Sequence, residues 1–321
     1  MLVKRSPLHP RVDGRAFSSG QFSMKKSRRT SKHARRAVLL DSFTQGDLHE
    51  WAARGDEVQA LCDRVYFDLE RQRVSRHEDL CAALRSHPGI ALELRGWTRV
   101  VDWRWSQTPL SGVGSLNGIG GRFNIGMDLD RARGQSFRAL YVAENVETAY
   151  SEYFGGRLSS KTNRLSLGEF ALRRESSFTT FLLSGQLEQI LDLSTAESIQ
   201  AFVAIIKDFD ISRATKEAIR RARLPPRRML RSAMELRNWL LAPPSEWRLE
   251  PQAFGIPSTC QIFGRFVKDA GFDGIRFPSQ HGHGLNLALY PENFRASSSR
   301  VEVLGPAPEG ATHTTLDKDH L

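Results

Sequence analysis

Apolar side chains recur at three- and four-residue intervals through much of residues 38–95. Leu48, Trp51 and Ala52 are followed by Val58, Leu61, Val65, Phe67 and Leu69. This spacing lines one face of an α-helix, and HEDLCAALRSHPG continues the pattern to a Pro-Gly stop. After residue 96 the period shortens. WTRVVDW (97–103), RALYVAE (138–144), LGEFALR (167–173) and QILDLS (189–194) predict strands. NVETAYSEYFGG (145–156) predicts a helix with Asn145 as N-cap and a double-glycine stop. Helical patterns return at about 195–207, 212–223 and 228–241, the last closed by Pro243 and Pro244. STCQIFGRFVKDAG is a helix capped by Ser258 and ended by Gly271, before the strands DGIRFPS and LNLALY. The mixture predicts an α+β fold in four stretches: an arm at 1–37, a helical segment at 38–95, a core at 96–302 and a polar tail at 303–321.

Composition adds limits. The chain has 321 residues, enough for one large domain or two. No stretch of about 18 apolar residues occurs, so no membrane span is expected. Three cysteines, Cys62, Cys81 and Cys260, are odd in number and far apart, which argues against a disulfide framework and for a reducing compartment. The start, MLVKRSPLHP, lacks the apolar core of a signal peptide, and a cytoplasmic protein is expected. The net charge of +10 changes the picture only once it is located. Residues 1–36 hold eleven Lys and Arg against Asp13 alone, so the body is neutral. Such an arm is predicted to be disordered: a solvated tail, or a weak non-specific contact to nucleic acid.

GIGGRFNIG (118–126) places Arg122 among four glycines. Glycine clusters mark unusual backbone or close approach, and a guanidinium beside exposed amides suits an anion; an ordinary hairpin loop with a surface arginine reads the same way. Around the helix at 145–154, taking Val146 as zero and about 100° per residue, Val146, Ala149, Tyr150 and Tyr153 form a stripe from about −60° to +40°. Glu147 and Glu152 flank it on opposite edges, and Glu144 precedes the helix. Periodicity leaves Glu147 and Glu152 tied, although the helix dipole alone explains an acid in the first turn. Ser279 reads as a turn serine, with no nucleophile elbow around it. His281 and His283 have no third ligand at metal-site spacing, so no metal is expected. Asn286 either bonds a substrate or satisfies loop backbone.

The blocks GGRFNIG, ALYVAE, ETAYSEYF, LDLS and GFDGIRFPS with GLNLALY together resemble the RES domain, over roughly residues 97–294 and with a long helical insertion at about 195–245. That family takes its name from an Arg, a Glu and a Ser, and is known as the toxin half of bacterial toxin–antitoxin pairs. The resemblance implies a fold related to ADP-ribosyltransferases and an enzyme that consumes NAD as glycohydrolase or phosphorylase. Position by position it assigns Arg99, Glu152 and Ser279 as the catalytic set. Arg99, Arg122 and Tyr141 would hold the dinucleotide, Arg122 at its pyrophosphate and Tyr141 beside the nicotinamide end. NAD is then a substrate, no further cofactor is implied, and an antitoxin would cover the cleft. Breaking the nicotinamide–ribose bond builds positive charge on the ribose carbon, which a fixed carboxylate stabilises. Two other readings stay open: an ADP-ribosyltransferase on the same scaffold, and a non-catalytic nucleic-acid binder using the basic arm.

Overall fold

The computed structural model describes residues 45–154, 177–227 and 229–321, so the basic arm and the strand expected at 167–173 lie outside the described residues. The chain divides into two units, Met1–Trp51 and Ala52–Leu321. The elements in chain order are α1 (Gln45–Ser75), α2 (His77–Arg85), β1 (Ile90–Asp102), β2 (Leu140–Ala143), α3 (Val146–Phe154) and β3 (Phe178–Asp192). Then come α4 (Gln200–Ile206), α5 (Arg213–Arg221), α6 (Ala233–Leu240), α7 (Pro244–Trp247), α8 (Leu249–Phe254) and α9 (Thr259–Asp269). Four strands complete the described chain: β4 (Gly274–Pro278), β5 (Leu285–Leu289), β6 (Arg300–Leu304) and β7 (Thr315–Leu316). The fold is α+β. Among the described residues no helix is long and apolar enough to cross a membrane.

The strands form one mixed sheet whose ladder closes on itself. β1 pairs with β3 along nearly its whole length, and the circuit returns through β4, β5 and β2 to a single pairing of Ala143 with Thr98. Only β3 and β4 run parallel; β6 and β7 extend the sheet beyond β3. Alternation along β5 divides its side chains between two cores. Leu287 and Leu289 join Trp97, Val101, Phe181 and Phe294 in one cluster. Ala288, with Ile275 and Phe277 of β4, joins the cluster built with α2, α4, α6 and α9.

Boundaries differ from the expectation: β3 starts at Phe178, well before the stretch 189–194 expected as a strand. β1 starts at Ile90, inside the stretch assigned as helical, because alternation begins directly after the Pro88–Gly89 stop. Leu94 is buried while Glu93 and Arg95 are exposed. A register shift between Arg95 and Trp97, with Gly96 at φ +70°, then bulges the strand. At the other end the polar tail returns to the sheet: Leu316 is buried and β7 pairs with β6. A two-residue strand has no period to detect.

Candidate active site

A cavity of about 330 Å³ opens where β1, β2, the glycine-rich loop, α3, β4, β5 and α7 meet. Of the five residues singled out in the sequence, Arg99, Arg122, Tyr141 and Glu152 line it. The fifth, Ser279, reaches it through Glu152: its hydroxyl donates to Glu152 Oε1 at 2.6 Å. The same oxygen accepts the Gln280 amide at 3.1 Å and the Asn286 side-chain amide at 2.8 Å. Glu152 Oε2 has no donor among the described residues. One oxygen is anchored and the other is not.

The helix presents Glu152 differently from the expected stripe. On the same wheel the enclosed sector runs from about 140° to 300°, through Ser151, Thr148, Glu152 and Ala149. Val146 is 38% exposed and Glu147 lies outside the sector, exposed. Small Thr, Ser and Ala side chains let α3 lie close to the sheet. Its tyrosines instead pack edge-on with Phe154 and Phe178, and the Tyr153 hydroxyl donates to Asp102. Asn145 caps the helix by accepting the Thr148 amide at 2.9 Å, which fixes its rotation about its axis.

Ser279 holds the loop after β4 as well as the carboxylate. Its oxygen accepts the amides of His281 and Gly282 at 3.2 and 2.9 Å. Among the described residues no group of three or more His, Cys, Asp or Glu could hold a metal ion.

The arginines are more tightly engaged than a free clamp would be. Arg99 donates to the carbonyls of Pro109, Tyr141 and Ser111 at 2.7, 2.8 and 3.1 Å, tying the chain after β1 to β2. Burial lowers its pKa to about 10, so the guanidinium stays charged at neutral pH. Arg122, 8% exposed, spends one nitrogen on the carbonyls of Leu240 and Ala242 at 2.9 and 2.7 Å, and burial lowers its pKa too. Both contribute fixed positive charge to the cavity wall while holding backbone in place.

The glycine-rich loop likewise approaches itself. A Cβ on Gly126 would stand 2.2 Å from the Gly120 nitrogen and 2.3 Å from the Gly118 oxygen. Gly120 has φ +90°, and Gly121 lies under the Tyr141 ring, whose hydroxyl a Cβ would meet at 2.5 Å. The close approach that the glycines allow is made here by the loop's own chain and by Tyr141. The tyrosine hydroxyl donates to Asn124 and accepts the Phe123 amide, and burial raises its pKa. Gln261, in the first turn of α9, donates to the carbonyls of Ile119, Gly121 and Asn124 and fastens the loop from below.

Asn286, Trp247 and Arg248 are among the cavity residues not assigned from the sequence. Asn286 carried a signal: its polar side chain shares a strand face with Ala288, between leucines. Trp247 and Arg248 carried none, because they follow a proline pair in a stretch with no strand or long-helix period. Outside the cavity, His77 lies 3.1 Å from Asp269 and 3.9 Å from the Cys81 sulfur. That thiol is buried, with its pKa pushed up to about 11 by burial.

A mixed sheet carrying a cleft in which one carboxylate stands among guanidinium groups defines an α+β protein. The chain belongs to the RES domain family, whose model matches residues 96–316. Among solved structures, a chain of the M. tuberculosis MbcT–MbcA toxin–antitoxin complex is similar at 17% identity and a TM-score of 0.38, over 72% of this chain and 94% of that one. Comparison with curated proteins found no match.

Proposed function

We propose that this protein cleaves the nicotinamide–ribose bond of NAD, with water or phosphate as acceptor, as the toxin of a toxin–antitoxin pair whose antitoxin covers the cleft. The observation that carries the reading is the half-anchored carboxylate of Glu152 in a cavity walled by guanidinium groups. Membership of the RES domain family supports it. The volume suits the nicotinamide riboside end of a dinucleotide. As the bond breaks, its electron pair passes to the ring nitrogen, which loses its positive charge and leaves as neutral nicotinamide. Positive charge develops on the ribose carbon and ring oxygen. Ser279, Gln280 and Asn286 hold one oxygen of Glu152, so the carboxylate meets that charge with little reorganisation. Water then adds to the carbon and sheds a proton, giving ADP-ribose; phosphate would give the 1-phosphate ester.

The test is nicotinamide release from NAD by the purified full chain, with and without phosphate. ADP-ribose or its phosphate ester should appear in step with nicotinamide. No release under either condition rejects the reading, and release only when a macromolecule is added assigns a transferase instead.

A further inference from the structure

Among the described residues the cavity's lining includes one guanidinium that gives no hydrogen bond. Arg99 and Arg122 give hydrogen bonds to backbone carbonyls, as described above. Arg248, in the turn between α7 and α8, lines the same cavity, is exposed, and its guanidinium has no hydrogen-bond or ion-pair partner among the described residues. It lies over the Trp247 ring at 5.1 Å, which restrains it without consuming an N–H. Trp247 adds a second, independent sign. It is 5% exposed, lines the cavity, and its indole N–H has no acceptor. A buried donor left unpaired costs free energy that an incoming acceptor recovers. The cavity's lining carries three guanidinium groups, those of Arg99, Arg122 and Arg248, against the single carboxylate of Glu152. Positive charge is in surplus, and of the three guanidinium groups it is Arg248 that gives no hydrogen bond among the described residues.

We propose that Trp247 and Arg248 form the diphosphate subsite of this cavity. Arg248 forks onto phosphate oxygens and the Trp247 indole N–H donates to a third, with Arg122 as fixed charge behind them. This rests on the reading of NAD as substrate and moves the anion clamp from the glycine-rich loop to the α7–α8 turn. The ligand class is a nucleoside diphosphate or a dinucleotide containing one. Binding energy gathered here, away from the reacting carbon, would hold the ribose against Glu152.

Calorimetry with ADP and with adenosine, on the full chain in magnesium-free buffer, tests the subsite without requiring turnover. The parent should bind ADP more tightly than adenosine, and added salt should erode the difference. Arg248→Gln should weaken ADP about ten- to a hundredfold while adenosine affinity holds. Trp247→Phe keeps the ring, loses the donor, and should weaken ADP about three- to tenfold. Arg213→Gln, which removes an exposed charge on α5 far along the chain, should change neither, and melting curves should match. Equal affinity of the parent for ADP and adenosine, or no ADP binding at all, overturns the proposal. An unchanged ADP affinity in Arg248→Gln, or equal loss of both ligands, does the same; an unchanged affinity in Trp247→Phe removes the indole from the subsite. A parent that binds ADP through Arg248 yet releases no nicotinamide from NAD would reject the cleavage reading and leave this one standing.

Discussion

Ser279 Oγ and Glu152 Oε1 stand 2.6 Å apart although 127 positions separate them in the chain. The contact joins α3 to the loop after β4, and the same serine oxygen accepts two amides of that loop. Ser279→Ala therefore acts twice: it frees one support of the carboxylate, and it leaves two N–H groups without an acceptor at a cost of about 1–3 kcal/mol of stability. Residues acting through one contact are not additive. Nicotinamide release by Ser279→Ala/Glu152→Gln should match that of Glu152→Gln alone. Additive losses in the double variant would mean that the serine works independently of the glutamate.

Two glutamates on one helix should behave oppositely. Glu152→Gln keeps size and can still accept from Ser279 and Asn286, but removes the charge facing the ribose carbon. Turnover should fall about 10²–10³, the loss expected for one preorganised electrostatic contact. Glu147 is exposed in the first turn of α3, and Glu147→Gln should cost about 0.3–1 kcal/mol of stability and leave turnover alone. Steady-state rates with matched melting curves decide it. An inactive Glu147 variant beside an active Glu152 variant would displace the centre of the site.

How much of this was legible in the sequence follows from what each residue has to do. β2, α9 and β5 announce themselves because each carries buried apolar residues, α3 by its cap at Asn145, and Ser258 with Gln261 forms the reciprocal cap at the start of α9. The carboxylate was legible only as a pair of candidates: α3 buries Thr148 and Ser151, and a polar buried face reverses an apolar wheel. Arg122 and the glycines looked like a ligand cradle because tight self-packing and ligand approach demand the same residues. Arg248 was invisible, since an arginine in a short turn reads as solvated surface until the cavity is in view.

The loop's self-packing gives a contrast between two glycines. Gly126→Ala places a methyl about 2 Å from backbone atoms of Gly118 and Gly120 that cannot yield, and should cost about 2 kcal/mol or more. Gly55, inside α1, has nothing within 4 Å of an added Cβ, so Gly55→Ala should stabilise by up to about 1 kcal/mol. Urea unfolding of both variants measures the pair. Equal behaviour would show that the loop opens readily.

Thiol labelling reads burial directly. Burial pushes the Cys260 thiol up to about 12 and the Cys81 thiol up to about 11, and both are buried. Cys62 is only partly buried, though burial raises its pKa as well. Only the thiolate reacts at a useful rate. Iodoacetamide on the native protein at about pH 8 should label Cys62 first, with Cys81 and Cys260 reacting only on unfolding. Peptide mass spectrometry assigns the order. Early labelling of Cys260 would mean that the packing around α9 opens in solution.

The last expectation concerns acid. Asp192, at the end of β3, takes a two-point ion pair from Arg276 of β4, Nε to Oδ1 at 3.1 Å and Nη2 to Oδ2 at 2.5 Å, and also accepts the Ser194 amide. Burial alone would raise its pKa; the hydrogen bonds from Arg276 and Ser194 outweigh burial, so the folded value lies below 3.8. With the folded pKa depressed, the stabilisation is present above the unfolded value and disappears as pH falls through the folded one. Asp192→Asn keeps the shape but never carries the charge. The difference in unfolding free energy between parent and variant should be constant near about pH 6 and shrink as pH drops to about 2.5. Comparing the two chains cancels the other carboxylates held low, such as Asp68 and Asp210. A difference that persists unchanged to the lowest pH would show that the Asp192 carboxylate contributes by shape and not by charge.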